Sequence, residues 1–501
     1  MHGFKTTDLV VLIVYLLSIL IIGLYFSKKD MKGKEFFKGD GTIPWYVTSV
    51  SIFATLLSPI SFLSLVGNSF AGSWILWFAQ VGAILAIPIT IKFFLPIFSK
   101  LKIDTAYQYL ELRYGSKSLR LLGAILFIVY QLGRMSIIMY LPSKVLAELM
   151  GVNVDILIIV MGIISIIYSS TGGLKSVLWT DFIQGVVLLV GVVFAFVYLV
   201  SGIDGGFGAI FSALSADRFI DVSKDVIFSP NIFQTSIFMI IIGALLNTLS
   251  SYISSQDIVQ RFTTTTDEKK LNKMMLTNGA LSIFVATVLY LIGTALFVYN
   301  NQHPLPGEHL QDQVFGTYIA YVLPTGITGL LLAAIYAAAQ STLSTGLNSV
   351  ATSWTLDIQD IVTKKELSFK NQTLIAQGVS VLVGIVAIIV SIVMAHSNIQ
   401  SAYDTFNGFM GLILGILGGI FILGAFFKSS NKYGAWAGFV AASVVLTIVR
   451  YVLPGYGINV TIWANSLIAI TVCVIVGIIV SKITSKQVNY PAPECTTIYH
   501  K

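Results

Sequence analysis

FATLLSPISF, residues 53–62, interrupts an apolar run of membrane length with two serines and a proline. Pro59 has no N–H to give to residue 55, so a helix running through it loses hydrogen bonds one turn earlier. In a bilayer core, backbone groups released in this way must find partners in the protein, in water or in a bound species. The carbonyls of Ala54, Thr55 and Leu57 therefore become candidate ligands.

Outward from this stretch, apolar runs of about 20 residues recur along the whole chain, each long enough to cross a hydrocarbon core of about 30 Å. The 501 residues are 56% hydrophobic and only 11% charged, which excludes a soluble domain. The runs do not alternate with period two, which argues against a β-barrel. The expected fold class is an all-α polytopic membrane protein of about thirteen spans. They fall near 8–26, 46–70, 74–98, 119–149, 152–170, 178–201, 230–256, 273–299, 313–354, 372–395, 402–427, 433–453 and 459–481.

The formal net charge of +7 reads as topogenic rather than as a nucleic-acid surface. The loop SKKDMKGKEFFKGD carries five lysines, and later loops of the same parity hold Lys100, Lys102, Arg113, Arg120, Lys175, Arg261 and Lys428. The opposite parity holds few, such as Arg218 and Lys224. The positive-inside rule then places the N-terminus outside and the C-terminus in the cytoplasm. Loop 202–229 is expected to hold at most a short surface helix, and the tail QVNYPAPECTTIYHK is read as disordered. Cys473 and Cys495 offer neither a disulfide framework nor metal-ligand spacing.

A second interrupted span follows five spans later, in IIIGALLNTLSSYISSQDIVQR, with its apolar run decaying at Asn247–Ser251. Five is odd, so the two halves have opposite topology. Paired interrupted spans in corresponding positions point to an inverted-repeat transporter with its site at the midplane. The repeats are expected over 46–201 and 230–427, flanked by a first helix and basic loop (1–45), the external loop 202–229 and two peripheral helices with the tail (428–501).

The ninth span contains AAIYAAAQSTLSTGLNSVAT. Its small residues suit helix packing. Ser341, Ser344 and Thr345 also fall at i, i+3 and i+4, and Thr342 and Thr345 form another i, i+3 pair, so hydroxyls cluster on one side. Neutral oxygens of this kind suit Na⁺, whereas Mg²⁺ or Ca²⁺ calls for more carboxylates. Arg134, deep in the fourth span, needs an acid partner or a substrate anion. Asp181, in VLWTDF, reads either as a helix cap or as a cation ligand. Gln80 is a lone amide in an apolar span, and Trp74, Trp77 and Phe78 before it read as interfacial anchors or, equally, one of them as a cover over a substrate from the outside.

FATLLSPISF after KGKEFFKGDGTIPW, STGGLKSVLWTDFIQG, SSYISSQDIVQRF and AAQSTLSTGLNSVAT together resemble the sodium/solute symporter family, over about residues 1–430. The segment YQLGRM and Gln80 look most like its bacterial sialic acid (N-acetylneuraminate) transporters. The resemblance implies a LeuT-type fold of five plus five helices with broken second and seventh spans, and Na⁺-coupled import by alternating access. It implies a first Na⁺ site at the carbonyls of Ala54, Leu57 and Ala338 and the hydroxyls of Ser341 and Thr342, and a second at Asp181, Ser341, Ser344 and Thr345. Substrate contacts would come from Ser58, Ser61, Gln80 and Arg134, the last on the sialate carboxylate. Leu56 stands where the sialic acid pattern carries a threonine, and Ser61, Thr342 and Thr345 exchange one hydroxyl residue for another.

The partners implied are the sugar acid, sodium ions and lipid, with a single chain sufficient. A symporter for a neutral sugar, myo-inositol, proline or another carboxylate is the alternative. No Walker-type motif suggests an ATP-driven pump, and no nucleophile–base pair suggests an enzyme.

Overall fold

In the computed structural model the described residues are 5–27, 37, 42–265, 267–306, 313–363, 368–397, 402–488 and 492–500. Most of the basic loop after the first helix lies outside them. They form a helical bundle. Helix α1 (Thr6–Ser27) is followed by α2 (Trp45–Leu56) and α3 (Pro59–Ala71), which meet at a bend of 60°. Next come α4 (Trp74–Leu101), a short α5 (Gln108–Tyr114), α6 (Lys117–Met150) and a long α7 (Val154–Ser201). The second half holds α8 (Ile237–Ser254), α9 (Gln256–Phe262), α10 (Glu268–Gln302), α11 (Val314–Tyr321) and α12 (Ile327–Ser353). It ends with α13 (Phe369–Ala395), α14 (Ala402–Phe426), α15 (Lys432–Thr447) and α16 (Asn465–Ile483).

Among the described residues ten helices are long and apolar enough to cross a membrane, or eleven with the bent α2–α3 pair. The other two expected spans coincide with shorter apolar helices, Val154–Ser170 and Met410–Phe426.

The break in the second span sits where the proline demands it. Leu57 and Ser58 are extended, and Ser58 Oγ caps α3 by accepting the Ser61 N–H at 3.2 Å. That amide would serve the Leu57 carbonyl in a continuous helix, so the cap frees one carbonyl as Pro59 frees that of Thr55.

The seventh span breaks later than expected. Asn247–Ser251 stays helical, and the interruption falls at Ser255, whose ψ of 118° separates α8 from α9. The polar residues upstream remain in the helix because their side chains find partners, Asn247 with Ser466 and Ser254 with the Ser250 carbonyl.

The expected ninth span also divides. Pro324 and Gly326, the latter at φ +90°, separate α11 from α12. Only glycine adopts such a φ freely. The carboxylate of Asp8 on α1 accepts the amides of Gly326 (2.7 Å) and Gly329 (3.0 Å) and so anchors the start of α12.

Helix α7 kinks at Gly173 (φ 58°), so the sixth span begins there rather than near residue 178, and Asp181 lies within the helix instead of capping it. Trp74 is buried and Trp77 half-buried against α10, where their indole N–H groups donate to Thr294 (2.9 Å) and Thr287 (3.1 Å).

Loop 202–229 holds one short helix, Gly206–Ala213, and a following π-helical turn, Leu214–Arg218, from which Arg218 donates to the carbonyls of Phe70 and Gly72. The described residues of the C-terminal tail, 492–500, include ones packed against the bundle rather than disordered. Thr496 and Thr497 are buried, and the Tyr109 hydroxyl donates to the Thr496 carbonyl at 3.1 Å.

Candidate functional site

The broken second span is laced to α12. Ser341 Oγ donates to the Ala54 carbonyl (2.9 Å) and to that of Ala338 (3.1 Å), and Thr342 Oγ1 donates to Thr55 (3.2 Å) and Ala338 (3.1 Å). Four of the five groups expected for a first cation site therefore converge: the Ala54 and Ala338 carbonyls and the Ser341 and Thr342 hydroxyls. Leu57 follows at the break, its carbonyl deprived of its helical donor.

One turn further along α12, Ser344 and Thr345 face Asp181 on α7. Thr345 donates to Asp181 Oδ2 at 3.1 Å and Ser344 to Oδ1 at 3.4 Å. Ser341 joins this group through its carbonyl, which accepts the Ser344 hydroxyl at 3.1 Å. Ser51 of α2 adds a bond to Asp181 Oδ2 at 2.7 Å.

Two arginines belong to the same buried cluster. Arg261 of α9, counted above as a loop charge, is 1% exposed. Its guanidinium touches Asp181 (2.8 Å), Thr345 (2.7 Å), the Thr55 hydroxyl (2.8 Å) and Ser51 (3.0 Å). Arg134 pairs with Asp257 at 2.6 Å and also donates to the Thr55 carbonyl at 2.6 Å. Both ion pairs are almost wholly removed from solvent. The acid expected somewhere opposite Arg134 is thus Asp257, on α9.

Beside the break lies a cavity of about 190 Å³ between α2–α3, α4, α8 and α10. Of the residues expected to contact substrate, Leu56, Ser61 and Gln80 line it. Ser58 and Arg134 do not: Ser58 is occupied in capping α3, and Arg134 lies behind the wall, on the carbonyl that precedes Leu56.

The sequence reading did not name as contacts Asn247, Thr248 and Ser251 of α8 and Ser282 of α10, which line the cavity opposite. The polar run within α8 was the available signal for three of them. Among the described residues no cluster of three His, Cys, Asp or Glu side chains suited to a metal ion is present.

This geometry has close counterparts among known proteins. Residues 36–442 match the model of the Sodium:solute symporter family. The Sodium/sialic acid symporter SiaT of Proteus mirabilis (strain HI4320) is 34% identical over 454 residues, covering 90% of this chain and 91% of that protein. The Sodium/sialic acid symporter NanT of Aliivibrio fischeri (strain ATCC 700601 / ES114) is 33% identical, covering 90% and 88%. A solved structure of a Na⁺-coupled sialic acid symporter, substrate-bound and outward-open, superimposes with a TM-score of 0.89 at 32% identity, covering 98% of this chain and all of that one. The bundle is accordingly of LeuT type. A helix broken at Pro59, its freed carbonyls held by the hydroxyls of α12, is set in a multi-pass membrane protein that belongs to the sodium:solute symporter family.

Proposed function

We infer that this protein is a secondary active symporter that imports sialic acid (N-acetylneuraminate) with Na⁺ by alternating access. The observation that carries the reading is the convergence of the Ala54 and Ala338 carbonyls with Ser341 and Thr342, beside a cavity edged by Ser61 and Gln80. The likeness to the two sialic acid symporters, at about one third identity over nine tenths of the chain, supports the choice of substrate.

In this reading Na⁺ at the first site joins the carbonyls of Ala54, Leu57 and Ala338 to the hydroxyls of Ser341 and Thr342. The ion ties α2 to α12, and so joins the two halves, 46–201 and 230–427, in the state that receives substrate. A second Na⁺ sits with Asp181, Ser341, Ser344 and Thr345. The sugar acid occupies the cavity against Ser61 and Gln80, with Ser58 setting the entry of α3 and Leu56 offering an apolar contact.

Arg134 takes the substrate carboxylate, which a guanidinium grips bidentately. Closure and rocking of the halves then open the site to a cytoplasm low in Na⁺. In this reading the N-terminus lies outside and the C-terminus in the cytoplasm, with thirteen spans, which the lysine-rich loops of one parity support, and one chain holds the whole site, so a monomer suffices. Membership of the sodium:solute symporter family supports the reading of a transporter rather than an enzyme.

The test is uptake of labelled sialic acid into proteoliposomes, with and without an inward Na⁺ gradient, at zero and at negative-inside potential. Na⁺-dependent uptake that grows with the potential is expected. Absence of uptake, with a neutral sugar or an amino acid carried instead, would replace the substrate and keep the coupling.

Ser341→Ala provides a further check on the first site. It removes a hydroxyl shared by the Ala54 and Ala338 carbonyls and should raise the Na⁺ concentration for half-maximal uptake about tenfold, the equivalent of a single lost interaction of about 1.4 kcal/mol. The maximal rate at saturating Na⁺ should change much less. A Na⁺ response indistinguishable from that of the unaltered protein would remove Ser341 from the ligand set.

A further inference from the structure

We propose that Arg261 is a tethered cation that stands in for the second Na⁺ at Asp181, and that its displacement by Na⁺ frees Arg134 to receive the substrate carboxylate. This rests on the functional reading above and supplies the link between the ion and the anion that such a reading leaves open.

The starting observation is that the Arg261 guanidinium lies on the groups assigned to the second Na⁺. It touches Asp181 at 2.8 Å and Thr345 at 2.7 Å, and is 1% exposed. At such a depth the carboxylate stays ionised only beside a counter-charge, so in the absence of Na⁺ it needs another cation. Arg261 meets that need from within the chain. For Na⁺ to bind at Asp181, the guanidinium has to leave.

Its destination is set by the helix that carries it. Asp257 and Arg261 are four residues apart on α9, the spacing at which side chains on one helix face meet. Arg261 already donates to the backbone carbonyl of Asp257. The Asp257 carboxylate is held by Arg134 at 2.6 Å.

The cluster is thus a row of four buried charges, Arg134, Asp257, Arg261 and Asp181, that sums to zero. Thr55 sits between the two cations, its carbonyl on Arg134 (2.6 Å) and its hydroxyl on Arg261 (2.8 Å). Because Pro59 frees that carbonyl, the broken helix itself forms the bridge.

Adding Na⁺ at Asp181 moves Arg261 onto Asp257 and leaves Arg134 without its acid, one positive charge in excess. A sialate carboxylate on Arg134, reached through the wall formed by Leu56 and Leu57, restores neutrality. Na⁺ and the anion therefore each favour the other's binding, and by linkage the coupling is equal in both directions. Without Na⁺ both arginines stay internally paired and the anion has no free guanidinium.

The experiment uses the purified full chain and two readouts: the Na⁺ midpoint of thermal stabilisation with no sialate present, and the sialate Kd across a Na⁺ series. Arg261→Gln removes the competitor, so its Na⁺ midpoint should fall about fivefold or more, within the usual range of coupling factors. Its sialate binding should weaken and lose its dependence on the second ion, since no cation is left to take Asp257. Arg261→Lys keeps the charge and should retain most of the normal midpoint.

Asp257→Asn acts in the opposite direction. Arg134 then has no internal acid, and sialate should bind more tightly at low Na⁺, with a flatter Na⁺ series. An unchanged Na⁺ midpoint in Arg261→Gln, or an unchanged Na⁺ series in Asp257→Asn, overturns the proposal. A merely structural Arg261 would lower stability without tightening Na⁺. If the unaltered protein binds no sialate, the substrate assignment fails, while the Na⁺ midpoints of the Arg261 variants still decide whether arginine and ion compete.

Discussion

Arg134→Ala is expected to abolish sialate uptake. Truncating one partner of a buried, hydrogen-bonded charge pair costs about 2–5 kcal/mol, or roughly 30-fold and upward in affinity. Here the lost group is the one cation assigned to the substrate carboxylate. The variant also strips Asp257 of its partner at 2.6 Å in a site closed to solvent, and that alone destabilises the fold. The two effects separate in the double variant Arg134→Ala/Asp257→Asn, which restores the internal charge balance. The double variant should recover thermal stability yet remain unable to transport sialate. Arg134→Lys keeps the charge but not the planar fork, and should transport with a clearly raised KM. Uptake by Arg134→Ala at the normal rate, measured in the same proteoliposomes, would show that the arginine serves only its internal partners, Asp257 and the Thr55 carbonyl.

What the sequence disclosed and what it hid follow from how each feature is encoded. The break at Leu57–Ser58 is legible because the missing N–H of Pro59 is covalent and cannot be rescued by packing. The hydroxyl faces of α12 are legible because helical periodicity is local.

In the seventh span the polar side chains at Asn247–Ser251 imitate a backbone interruption that the helix does not have. Asn247 and Ser254 satisfy themselves against Ser466 and the Ser250 carbonyl, so the helix continues to Ser254. Asp181 resembles a cap in sequence because the kink that starts its helix lies eight residues earlier, at Gly173, where the positive φ of a glycine leaves no polar signature.

The most consequential gap concerns charge. Arg134 finds its acid 123 residues away, and Arg261 finds Asp181 80 residues away. Neither distance leaves a local pattern. An arginine near the end of a span reads as topogenic until the fold shows it buried. Arg113 is a milder case: also counted as a loop charge, it is buried, donating to the carbonyls of Gly424, Phe427 and Ser430 at the turn after α14.

Asp181→Asn should convert an electrogenic symporter into an electroneutral one. With two Na⁺ per sialate anion, each cycle carries one net positive charge inward, worth about 2.3 kcal/mol per 100 mV. At about 1.4 kcal/mol per decade, that term multiplies accumulation about 50-fold. An Na⁺ gradient of about tenfold contributes about 100-fold through two ions and about tenfold through one. The unaltered protein should therefore concentrate sialate several hundred times further than the variant at about 100 mV, with a Na⁺ Hill coefficient above one that falls to one on substitution. The contacts of Asp181 make the change specific. Its carboxylate is the anionic member of the proposed second site, and asparagine keeps the size and the bonds from Ser51 and Thr345 while removing the charge that pairs with Arg261 and would hold Na⁺. Arg261, released from Asp181, should turn to Asp257, so that Arg134 is free and sialate binding persists with one Na⁺. Transport that continues without response to potential would thus show both the second ion and its replacement by arginine. An unaltered Hill coefficient together with an unaltered voltage response would place the second Na⁺ away from Asp181, and leave the buried pair with Arg261 as a structural one.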